Sequence, residues 1–180
     1  MSYFGDFLDE ELALVLSIPV RVGFWISHID DIQGTSRDDE KERVALEKVL
    51  RTVFKKTDAK AFSNDVVEEG LRRKDLWPQW ENNAGTVLAD IPKVMFMLKE
   101  RLPADAVTGF QKSVFYVARV VAQAASETGG EDDIRKEVMG GGLISAIMDR
   151  FSVKTDLQMP ENISDSEKAA LQKLLQSLKG

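Results

Sequence analysis

The sequence predicts an all-α protein, a single-domain helical bundle of about seven helices. Three observations carry this reading. Apolar residues recur at the three-to-four-residue spacing of an amphipathic helix through most of the chain. No stretch sustains the period-two alternation of a half-buried strand. No Asn-Gly or Asp-Gly pair marks a tight hairpin turn.

Leu8, Leu12, Val15 and Leu16 form the first apolar stripe. Pro19 is expected to open a second helix, because the N–H it lacks would have no partner in a first turn anyway. That helix carries Val22, Phe24, Trp25, Ile26 and Ile29 and ends in an acidic turn, Asp30-Asp31-Ile32-Gln33-Gly34. Thr35 or Ser36 caps the next helix, and Asp38, Asp39 and Glu40 fall where the helix dipole favours negative charge. Val44, Leu46, Val49, Leu50 and Val53 are assigned to its buried face.

A shorter helix is expected over Ser63–Lys74, with Val66, Val67 and Leu71 inward, ended by a packed corner at Trp77-Pro78-Gln79-Trp80. Another follows over Asn83–Leu102, and Pro92 is expected to kink or restart it. Pro103 opens a long helix, Ala104–Glu127, whose Phe110, Val114, Val117, Val121 and Ala124 make it the expected centre of the bundle. Beyond Thr128-Gly129-Gly130 a helix runs to Phe151, interrupted by Gly140-Gly141-Gly142. The helical bundle domain is thus assigned to residues 1–151, a loop to 152–163, and a final helix to 164–180, expected to pack on the same domain, the alternative being that it presents its leucine stripe to a partner. Ser164 and Glu167 form a capping-box pattern at its start, and Leu171, Leu174, Leu175 and Leu178 line one face.

Composition narrows the function classes. The absence of cysteine excludes disulfides, thiolate zinc sites and cysteine nucleophiles, and suits a cytoplasmic protein. The net charge of −6, with no concentrated basic run, disfavours nucleic acid as a partner. Leu12–Ile29 approaches membrane-span length, but Pro19 and Arg21 near its middle make a buried helix pair in a soluble core the better reading, so no integral membrane segment is expected. The acidic start, Met1–Glu11, lacks the positive charge of a signal peptide.

Two segments share a pattern. Val22–Leu50 and Tyr116–Ile147 each read as apolar helix, acidic turn with glycine, and acid-opened helix. A shift of 96 residues places Gly34 on Gly130 and Asp31 on Glu127. Two such helical hairpins packed about a pseudo-twofold would bury the apolar helices and leave both acidic turns at the surface.

The acidic turns are the only constellation with chemical potential. Hard cations take carboxylate oxygens, and Asp30, Asp31, Asp39 and Glu42 are candidate ligands for Ca²⁺ or Mg²⁺. The EF-hand order of acids is missing, and acids at a helix start stabilise it by roughly 0.3–1 kcal/mol each without any ligand. His28 is the sole histidine, which excludes a site built on two imidazoles, and it reads either as a side chain hydrogen-bonded at a helix end or as a ligand. There is no Glu-x-x-His pair for a di-iron bundle, no phosphate-cradling glycine motif and no Gly-x-Ser-x-Gly elbow.

The run Ser27-His28-Ile29-Asp30-Asp31, followed by Gly34 and a glutamate-bearing helix, resembles the tellurite-resistance TerB-like family. That family's usual form is an alanine-rich helix, Asp-Gly, a short hydroxyl-containing turn and a glutamate several residues on. The stretch Ala122–Gly130 is similar in style to the second half of such proteins, and the resemblance covers Leu14–Phe151. Here Asp31 is followed by Ile32 instead of glycine, and Gly34 comes two residues later than the family's glycine. The resemblance implies a helical, stress-associated protein with divalent-cation binding at acidic turns. The expected function is a helical binding or scaffold module with a protein partner; the alternative is a metal-assisted enzyme using clustered carboxylates.

Overall fold

The computed structural model describes residues 3–29, 39–54, 62–126 and 164–179. Seven α-helices fill most of these residues, joined by short 3-10 turns, and no strand occurs among them. The helices are α1 (Asp9–Ser27), α2 (Asp39–Phe54), α3 (Phe62–Arg72), α4 (Trp77–Asn82), α5 (Val87–Arg101), α6 (Ala104–Ser126) and α7 (Asp165–Lys179). The protein is an all-α helical bundle, and side chains from every one of these helices join a single hydrophobic core.

α1 is the pivot. Every residue from Val15 to Phe24 is buried, which fits a helix apolar on all sides. It packs most extensively on α6 and also against α3, α4, α5 and α2. Pro19 does not open a new helix; it lies inside α1. A proline in a helix interior costs about 3 kcal/mol, and burial of the surrounding apolar run offsets it. α1 begins with Asp9, Glu10 and Glu11 in its first turn, and the Glu11 carboxylate accepts the Leu8 backbone N–H at 2.9 Å.

Some side chains depart from the expected faces. Leu8 is 71% exposed because it is the extended residue before α1, where helical phase has no meaning. Trp25, expected in the core, is only partly buried, although Phe24 and Ile26 on either side of it are buried. Leu71 is likewise only partly buried. Val44 is exposed, whereas Leu46, Val49 and Leu50 of α2 are buried. At about 100° per residue, Val44 points roughly 160° away from Leu46.

The tryptophan corner is a helix of its own, α4, with both Trp77 and Trp80 buried and Trp77 Nε1 donating to the Gly70 carbonyl at 3.0 Å. α5 starts at Val87, after a 3-10 turn, and continues through Pro92 as one element. α7 docks on α5 and α6 through Ala170, Leu171, Leu174 and Leu178. Its capping box is formed: Ser164 N donates to Glu167 Oε2 at 2.9 Å, and Glu167 N donates to Ser164 Oγ at 3.2 Å. At its other end Lys99 Nζ and Gln111 Nε2 donate to the carbonyls of Lys179 and Leu178. These bonds satisfy carbonyls that the last turn leaves without partners.

Candidate functional site

The four carboxylates proposed from sequence as cation ligands lie outside the described residues in their side chains. Asp30 and Asp31 belong to residues 30–38, and Asp39 and Glu42 are described only as backbone in the first turns of α2. The second acidic turn from Glu127 onward, the Gly140–Gly142 run and the 152–163 loop also lie outside the described residues, so the second half of the repeat does too.

What the structure places is the base from which the first acidic segment departs. α1 ends at Ser27, followed by His28 and Ile29, and α2 begins at Asp39. Glu81 of α4 meets residues at both of these helix ends. Its Oε2 accepts from Arg43 Nε at 3.0 Å and Nη2 at 2.8 Å, and its Oε1 stands 3.9 Å from His28 Nε2. One part-buried carboxylate thus stands against both the end of α1 and the first turns of α2.

Other carboxylates of the fold are also committed to cations. Arg21, in the middle of α1, is buried and donates to Asp90 Oδ2 at 2.8 Å, Thr86 Oγ1 at 2.8 Å and the Asn83 carbonyl at 2.9 Å. Burial pushes the Asp90 carboxyl up, but hydrogen bonds from Arg21 and Lys93 outweigh it and hold the group below the usual aspartate range. Glu47 of α2 is held low by hydrogen bonds from Lys74 first and Arg51 second. Glu11 is held lower, at about 2, chiefly by the Arg101 guanidinium and then by the Leu8 N–H. Arg101, raised in turn by Glu11, lies 5.2 Å over the Phe7 ring, so it also pins the N-terminal aromatic segment.

No group of three or more His, Asp or Glu side chains suited to a metal ion occurs among the described residues. No helix among them is long and apolar enough to cross a membrane. The chemistry on view is charge neutralisation within the fold.

The outward face of α5 is different in kind. Phe96 is 64% exposed, and Pro92 and Ala89 are exposed one and two turns earlier on the same face. The opposite face of this helix buries Val87, Ile91, Val94, Met95 and Leu98. Lys93 and Lys99 flank Phe96, bonded to Asp90 and to the Lys179 carbonyl. Phe96 carries no motif, and its offset from the Ile91–Met95–Leu98 stripe is the sequence feature that marks it as outward.

The chain matches no family model, no curated protein and no solved structure.

Proposed function

We propose that this protein is a helical binding or scaffold module that acts by engaging a protein partner. The observation that carries this reading is Phe96: a large aromatic, 64% exposed, on a helix whose other face is fully buried. With exposed Pro92 and Ala89 it forms an outward apolar stripe, and contiguous exposed apolar surface is what interaction sites present. The commitment of Glu11, Glu47, Glu81 and Asp90 to arginine or lysine supports it further, because carboxylates spent on ion pairs are not poised as a catalytic set. A cytoplasmic address and a link to stress responses belong to the same proposal, supported by the lack of cysteine and by the TerB-like pattern around His28–Gly34.

The second reading is a Ca²⁺ or Mg²⁺ site at Asp30, Asp31, Asp39 and Glu42. Its support is the sequence pattern, with Asp30 and Asp31 ahead of α2 and Asp39 and Glu42 in its first turns, carboxylates of the kind hard cations take. A thermal melt with and without millimolar Ca²⁺ or Mg²⁺ separates the two. A ligand at 100 times its dissociation constant stabilises the state it binds by about 2.7 kcal/mol. The binding-module reading expects an unchanged midpoint. A rise that Asp31→Asn abolishes would replace it with the cation reading and reopen the metal-assisted enzyme.

A further inference from the structure

We draw no further inference here: the strongest candidate, the outward face of α5 around Phe96, belongs to the surface already put forward for partner binding, and nothing in the structure shows what covers it.

Discussion

Arg21 Nη2 lies 2.8 Å from Asp90 Oδ2, joining residues 69 apart in sequence across the interior of the bundle. The guanidinium sits in the most apolar helix among the described residues, and its side chain is only 5% exposed. It is tolerated because Asp90, Thr86 and the Asn83 carbonyl supply acceptors along one edge of the planar fork. The pair therefore sets how α1 registers against the start of α5.

Asp90→Ala is expected to destabilise the fold by about 2–3 kcal/mol, less than a wholly stranded buried charge because Thr86 and Asn83 remain as acceptors. Chemical denaturation of Asp90→Ala, Arg21→Met and the double variant checks this. The double variant should lose less than the sum of the singles. Strict additivity would mean the two side chains do not act together.

Gly23 marks a close approach of α1 and α2. A Cβ there would collide with the end of the Leu46 side chain and stand 3.0 Å from its second methyl. Leu46 is itself 4% exposed and has little room to swing. Overpacking costs about 1–3 kcal/mol, while Gly→Ala in a helix returns about 1 kcal/mol, so Gly23→Ala should be destabilising by on the order of 1 kcal/mol. In a Leu46→Ala background the same change should turn neutral or favourable. A stabilising Gly23→Ala in the parent would show that the two helices are not in contact there.

The acid limb of stability should carry a contribution from Glu11. Its carboxyl is held at about 2 against an ordinary 4.5, so the folded state refuses a proton that the unfolded chain accepts. The stabilisation is complete above roughly pH 4.5 and is lost as pH falls through about 2. Glu11→Gln should therefore melt with a shallower pH dependence across that window, and the two curves should converge at its lower end. Raising the salt concentration should shrink the difference, because the pair is solvent-accessible. Parallel curves from neutral to acid pH would contradict the assignment.

Much of the fold could be read directly because helical phase and burial coincide. Ile91, Val94, Met95 and Leu98, or Leu171, Leu174 and Leu178, fall on one stripe and are buried together. The Ser164–Glu167 cap was readable because it is local, closing within three residues. Pro19 was misleading because local proline chemistry favours a helix start, while the deciding term is tertiary burial around α1. Val44 lies out of phase with the buried stripe of α2, roughly 160° from Leu46. The Glu81 clamp and the Arg21–Asp90 pair were not readable, since each joins residues 38 or more apart with no local signature. A lone arginine in an apolar run was the signal that a buried acceptor set had to exist.

Val117 and Val121 test the packing of α6. Val117 is fully buried and Val121 is 9% exposed. Alanine at Val117 should cost on the order of 1–3 kcal/mol, and alanine at Val121 less, since its surroundings can relax toward solvent. Equal melting midpoints for parent and Val117→Ala would place a different helix against α1.

The partner-binding account rests on the α5 face, and site-specific photo-crosslinking from position 96 examines it most directly. A photoreactive phenylalanine analogue replaces Phe96, with the same group at exposed Asp105 of α6 as the control. The account predicts a discrete adduct of defined mass from position 96 in a lysate of the source cells, identified by mass spectrometry. That adduct should be absent from position 105 and should be competed away by unlabelled protein but not by its Phe96→Ser variant. No adduct at 96, or the same adducts from both positions, would contradict it.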